Sequence, residues 1–250
     1  MAKRASRRYK DYNDSQYEER RDNVRPLFDE VGWSPIENTG TDQKYRKNIR
    51  PQNATQKKLI EALERDNLVF AVGPAGTGKT YLAVAKAVEA LERGKVSRII
   101  LSRPAVEAGE NLGYLPGALE EKLSPYLRPL YDALSDRLSG KKVKALLAEG
   151  VIEIAPIAFM RGRTLNNAFI VVDEAQNCTY GQLKMLLTRL GWGSTMAVTG
   201  DPQQTDLLAE MSGLASVASR LEDRTNITVV RFDESEVVRH PLVADVIAAL

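Results

Sequence analysis

From Pro51 onward the chain alternates short, mainly apolar runs with stretches in which apolar residues recur at helical spacing. The runs at 68–72 (Leu68-Val69-Phe70-Ala71-Val72), 98–102, 169–172, 195–199 and 227–231 read as strands buried on both faces, since a strand with one wet face would alternate apolar and polar residues. Between them the helical period predicts helices over 53–65, 79–93, 118–138, 141–149, 180–189, 212–221 and 241–250. Val151-Ile152-Glu153-Ile154 adds one more short strand. Strand and helix in alternation is the mark of βαβ units, so the pattern predicts a parallel sheet with helices on both faces. The segment Tyr81 to Val88 is apolar around most of its circumference, as a helix wedged against such a sheet must be.

Residues 1–50 do not share this pattern. They are polar and broken by Pro26, Gly32, Pro35 and Gly40, and they read as an extension that is partly disordered or docks on another surface. Leu27-Phe28 and Val31-Trp33 are apolar enough to dock on the body or to hold a neighbouring subunit. The rest, 51–250, is one domain. At 250 residues and 43% hydrophobic the chain buries a full core.

Charge and cysteine usage narrow the chemistry. The net charge is +2, but residues 1–50 hold twelve Lys/Arg against nine Asp/Glu, which leaves the body near neutral. Lys3, Arg4, Arg7, Arg8 and Lys10, followed by Tyr9, Tyr12 and Tyr17, suit either a nucleic-acid arm or a solvated tail. The chain holds one cysteine, Cys178, and one histidine, His240; these exclude a disulfide framework and a Cys/His zinc set. Cys178 reads as a small structural apolar residue. No apolar stretch is long enough for a membrane span and no signal peptide is encoded, so a cytoplasmic location is expected.

The run 68–72 leads straight into Gly73-Pro74-Ala75-Gly76-Thr77-Gly78-Lys79-Thr80, a complete G-x-x-x-x-G-K-[ST] loop. Glycines let successive N–H groups curl inward around phosphates, and the helix that follows adds the positive end of its dipole. In such a loop Lys79 reaches the β- and γ-phosphates and Thr80 ligates Mg²⁺. ATP and Mg²⁺ are therefore the expected ligands. Phe169-Ile170-Val171-Val172-Asp173-Glu174 is a buried strand that ends in two carboxylates at the same edge of the sheet. Asp173 suits Mg²⁺, and Glu174 suits the general base that orients and deprotonates water. A carboxylate there favours hydrolysis over transfer to a second substrate, which disfavours a small-molecule kinase.

A third strand end, Met196-Ala197-Val198-Thr199-Gly200-Asp201-Pro202-Gln203-Gln204, delivers Gln204 as a sensor of the γ-phosphate or attacking water, with Asp201 positioning the local network. Upstream, Gln56 carries an amide able to pair with the N6/N7 edge of adenine, and no guanine-reading Asn-Lys-x-Asp is present.

These segments resemble the ATPase core of superfamily 1 helicases. Ser102-Arg103-Pro104-Ala105-Val106-Glu107-Ala108-Gly109-Glu110, Leu112-Gly113-Tyr114-Leu115-Pro116-Gly117, the run Pro125 to Leu134, Met160-Arg161-Gly162-Arg163-Thr164 and Val238-Arg239-His240-Pro241-Leu242 resemble, more narrowly, the PhoH family over residues 51–250. The resemblance implies an ATP-hydrolysing protein linked to phosphate starvation and RNA metabolism. It also implies a RecA-like P-loop NTPase fold with helices on both faces and, numbering the five long strands in chain order, a sheet order of 5-1-4-3-2.

Arg239 lies just ahead of a helix begun by Pro241, near the ligand edge or on a subunit face. A single lobe of this type needs an arginine from outside to neutralise transition-state charge. The expectation is therefore a closed homo-oligomeric ring, a hexamer by resemblance, in which Arg239 completes a neighbour's site. Arg103, Arg161 and Arg163 suit contacts with RNA, other single-stranded nucleic acid or the next subunit. The rival expectation is an ATP-gated assembly module that hydrolyses slowly without moving along nucleic acid.

Overall fold

The computed structural model describes residues 49–104, 119–208 and 211–238, and for 119–126 the backbone alone. Within them six strands form one sheet: β1 (Leu68–Val72), β2 (Arg98–Arg103), β3 (Ile152–Pro156), β4 (Ala168–Val172), β5 (Thr195–Gly200) and β6 (Ile227–Arg231). Every pairing is parallel and the order is β3-β2-β4-β5-β1-β6. The five long strands keep the expected order; the short run near 152 extends it by one, outside β2. The fold is a RecA-like P-loop NTPase fold. The extension as far as residue 48, the segment 105–118, Arg239, His240 and the helix expected at 241–250 lie outside the described residues.

Alternation along the strands assigns each face its helices. Val69, Ala71, Ile99, Leu101, Phe169, Val171 and Ala197 point to a core completed by α1 (Ala54–Arg65), α2 (Lys79–Glu92), α3 (Leu119–Ser135) and α4 (Gly140–Ala148). Leu68, Phe70, Ile100, Ile170, Val172, Met196 and Val198 point the other way, to α5 (Tyr180–Leu187) and α6 (Leu214–Leu221). Leu59, Leu130, Leu134 and Leu183 are fully enclosed, and each such side chain stabilises the fold by about 2 kcal/mol. Asn53 caps α1 by accepting from Gln56 N–H, and Thr179 with Gln182 forms a capping box on α5. Gly78, left-handed, begins α2 with no side-chain cap, so the first-turn N–H groups of α2 keep no partner of that kind. Among the described residues, no helix is long and apolar enough to cross a membrane.

The order matters for function. β4, β5 and β1 are neighbours, so the loops leaving their carboxyl ends meet at one edge, the place where open α/β sheets bind ligands.

Candidate functional site

The loop 73–80 is tied to its surroundings where it leaves β1. Gly73 N–H donates to Gly200 O at 3.1 Å, and Phe232 N–H donates to Val72 O at 2.8 Å. Gly73 has φ +144°, and a Cβ there would sit 2.4 Å from Phe232 O, so only glycine fits. Further along, Val238 N–H donates to Gly76 O at 3.0 Å.

Lys79 folds back into the loop. Its ammonium donates to Gly73 O at 2.7 Å, Pro74 O at 2.6 Å and Thr77 Oγ1 at 3.3 Å, and Thr77 Oγ1 donates to Pro74 O at 3.0 Å. Burial pulls the Lys79 ammonium below its ordinary pKa, against the opposing pull of Asp201, Glu174 and Asp173. The cation is thus held in the hollow by neutral carbonyls, the arrangement an anionic ligand would improve on.

Thr80 and Asp173 meet across the sheet edge. Thr80 Oγ1 donates to Asp173 Oδ1 at 2.6 Å, and Thr199 Oγ1 donates to the same oxygen at 2.8 Å. Asp173 N–H donates to Ser102 O at 2.8 Å, which fixes the residue's backbone against β2. Hydroxyl and carboxylate oxygens clustered beside a phosphate loop fit a hard cation such as Mg²⁺, which takes one or two protein oxygens and completes its shell with water and phosphate. Among the described residues no cluster of three or more Asp, Glu, His or Cys is present that would suit a metal bound by protein alone.

Glu174 takes a left-handed backbone, φ +53° and ψ +40°, uncommon for a residue with a side chain and worth a functional explanation. It turns the chain out of β4, so that Asp173 and Glu174 face different neighbours. Both oxygens of Glu174 are engaged. Arg103 Nη2 donates to Oε1 at 3.0 Å, and Gln176 Nε2 donates to Oε2 at 2.5 Å.

Gln176 is the hub that sequence reasoning did not single out. It is 2% exposed; its Nε2 also donates to Gln204 O at 3.3 Å, its Oε1 accepts from Asp201 N–H at 3.1 Å, and its O accepts from Thr205 Oγ1 at 3.1 Å. Gly200 lets it approach, since a Cβ there would lie 2.7 Å from Gln176 Oε1. Thr199 was missed as well. It shares the inward parity of Ala197 along β5, and that period of two was a usable signal; the burial of Gln176 in the turn Ala175–Asn177 left none in the sequence.

Other expected residues fall as follows. Gln56 is buried beside the loop, but its amide is already paired: Nε2 donates to Thr77 O at 3.1 Å and Oε1 accepts from Gln52 N–H at 2.8 Å. Gln204 has an exposed side chain and enters the network through its backbone, whose N–H donates to Asp201 O at 3.0 Å. Asp201 Oδ1 accepts from Gln203 N–H at 3.0 Å. Arg103 reaches Glu174, Arg163 grips Glu153 with both terminal nitrogens, and Arg161 is exposed. The Arg163 guanidinium in turn holds the Glu153 carboxyl below its ordinary pKa. Cys178 is fully buried, and burial pushes its thiol up to about 12. Arg239 lies one residue past Val238, outside the described residues.

A family model described as "PhoH-like protein" matches residues 48–250. A PhoH-like protein of Bacillus subtilis (strain 168) is 55% identical over 204 residues, covering 81% of this chain and 64% of that protein. Protein PhoH of Escherichia coli (strain K12) is 45% identical over 204 residues, covering 80% and 58%. The chain thus spans about three fifths of the length of these relatives. Among solved structures, the Sulfolobus solfataricus SWI2/SNF2 ATPase core in complex with dsDNA is similar at a TM-score of 0.45 and 16% identity, over 77% of this chain and 46% of that one.

Proposed function

The chain belongs to the PhoH-like family, and from that premise we propose that it binds Mg·ATP at the 73–80 loop, hydrolyses it with Glu174 as general base, and couples hydrolysis to RNA or other single-stranded nucleic acid. One observation carries the reading. The loop lysine, the Thr80–Asp173 oxygen pair and an adjacent second carboxylate converge at one sheet edge, the set that phosphoryl transfer to water requires.

In this reading the loop N–H groups and Lys79 hold the phosphates, and Lys79 exchanges its carbonyl partners for phosphate oxygens. Thr80 and Asp173 would hold Mg²⁺, which when bound would supply positive charge against that developing on the phosphates. Glu174 orients the attacking water and takes its proton. Gln176 fixes the angle of that carboxylate and links it to the loop 201–206. Gln204 reports on the γ-phosphate, and Gln56 pairs with adenine once its present partners shift. Arg239, supplied by the next subunit of a homo-oligomeric ring, neutralises transition-state charge.

ATP turnover measured with and without single-stranded RNA at low salt tests the coupling. The reading expects stimulation that fades as salt rises, because phosphate contacts release counterions; no stimulation would refute it. One observation favours the slower alternative, an ATP-gated assembly module: both oxygens of Glu174 are occupied by protein donors.

A further inference from the structure

The pairing of Arg103 with Glu174 has no counterpart among the parts that bind or cleave ATP. Arg103 closes β2, whose neighbours are β4 and β3, and it spends a guanidinium nitrogen on the one carboxylate assigned to activate water. The pair is reachable from solvent: the side chains of Arg103 and Glu174 are 21% and 36% exposed. With Gln176 on the other oxygen, the carboxylate is pinned at both ends and must surrender a partner before it can turn to a water molecule. Gln176 is 2% exposed and Arg103 21%, so Arg103 is the partner that a ligand arriving from solvent can reach.

What would draw it away is set by its neighbourhood. Arg103 lies beside Pro156 in the β2–β3 pairing, and the chain leaving Pro156 enters the turn Ile157–Met160. Ile157 and Met160 are buried in the core, whereas Phe159 is 52% exposed and the following Arg161 is also exposed. An exposed aromatic and an exposed arginine two residues apart, following the strand that pairs with the half-buried Arg103, are the residue types that receive a single nucleic-acid strand: base on ring, phosphates on guanidinium forks. Arg163 is excluded from this set by its two-pronged bond to Glu153.

We propose that Arg103 restrains the general base Glu174, and that a phosphodiester strand crossing the ends of β2 and β3, stacked on Phe159 and held by Arg161, recruits Arg103 and frees the base. This rests on the assignment of Glu174 as the base. It makes Arg103 a positioning residue that couples strand binding to hydrolysis, and it explains how one lobe could hydrolyse slowly alone and quickly when loaded.

The test uses the full chain, poly(U) as the strand and steady-state ATP turnover. Arg103→Gln is expected to raise basal kcat at least threefold with KM for ATP little changed, and to bring the stimulation by poly(U) close to onefold. A merely structural role would lower kcat instead. Arg103→Lys, which offers one point contact in place of a fork, should show a smaller rise and a reduced stimulation; it carries the test if Arg103→Gln does not bind a fluorescent ATP analogue. Phe159→Ala should raise the poly(U) concentration for half-stimulation about tenfold. Basal kcat that falls, or stimulation of both Arg103 variants equal to the wild type's, overturns this proposal and leaves the ATPase reading standing. A wild-type protein that hydrolyses ATP without response to poly(U) refutes the nucleic-acid coupling itself.

Discussion

Thr80 Oγ1 donates a 2.6 Å hydrogen bond to Asp173 Oδ1, joining the first turn of α2 to the end of β4. Neither residue is near the other in sequence; the sheet order brings them together. Two oxygens so placed beside the phosphate loop fit a hard cation of the kind a nucleotide would bring with it.

Thr80→Ala should therefore raise the Mg²⁺ concentration needed for half-maximal ATP turnover by about tenfold or more. The lost hydrogen bond is worth about 1 kcal/mol, so Tm should fall by only about 2–4 °C. Titrating Mg²⁺ at fixed ATP checks the first and thermal unfolding the second; an unchanged Mg²⁺ requirement would remove Thr80 from the metal site.

Gly73 and Gly94 make a matched pair of backbone probes. Both have positive φ, +144° and +66°, but a Cβ on Gly73 meets Phe232 O at 2.4 Å while one on Gly94 meets nothing within 4 Å. Gly94→Ala should cost about 1 kcal/mol. Gly73→Ala adds a backbone clash and should cost about 3 kcal/mol or more, with loss of ATP binding. Denaturant unfolding of the two variants measures the difference, and equal costs would contradict the close approach of Phe232 to the loop.

Much of this was legible in the chain. The mainly apolar runs gave every long strand within a residue or two at each end, because strands largely covered on both faces carry few charged residues. The helix starts at Lys79 and Tyr180 were equally plain, the one from the glycine loop and the other from the helical period of 180–189. What the sequence hid is partnership. Arg103 looks like any strand-end arginine until β2 and β4 are seen side by side, and Gln176 looks like a polar turn residue until its burial is known. Gln56 shows the same limit: its spacing from the loop was readable, but not that its amide already bonds Thr77 O.

Cys178 offers a clean report on stability. It is the one cysteine of the chain, fully buried, with its thiol pushed up to about 12, so an aromatic disulfide reagent at pH 8 should label it only through opening of the fold. Because the folded thiol holds its proton more tightly than the unfolded one, whose ordinary value is 9.0, this contribution to stability is complete below pH 9 and is lost as pH rises toward about 12. Labelling within seconds in the absence of denaturant would contradict the packing described for Cys178.

Arg239 can be tested by mixing subunits. In a ring where Arg239 serves the neighbour's site, Lys79→Ala and Arg239→Ala proteins are each inactive alone, yet a mixture contains interfaces with an intact loop on one side and an intact arginine on the other. Mixing should restore a fraction of wild-type ATP turnover. No recovery, with mixed oligomers verified by light scattering, would place any role of Arg239 within its own subunit, consistent with the bond from Val238 N–H to Gly76 O of the same chain.

If Glu174 is the base at this edge of the sheet, its loss should stop hydrolysis and spare ATP binding, which side-by-side measurement of ATP binding and single-turnover hydrolysis in the wild type and in Glu174→Gln decides. Both proteins should bind Mg·ATP with similar Kd, and the variant's hydrolysis should be slower by at least about a hundredfold, the usual share of a general base. A variant that binds ATP and hydrolyses it at the wild-type rate would contradict that role for Glu174.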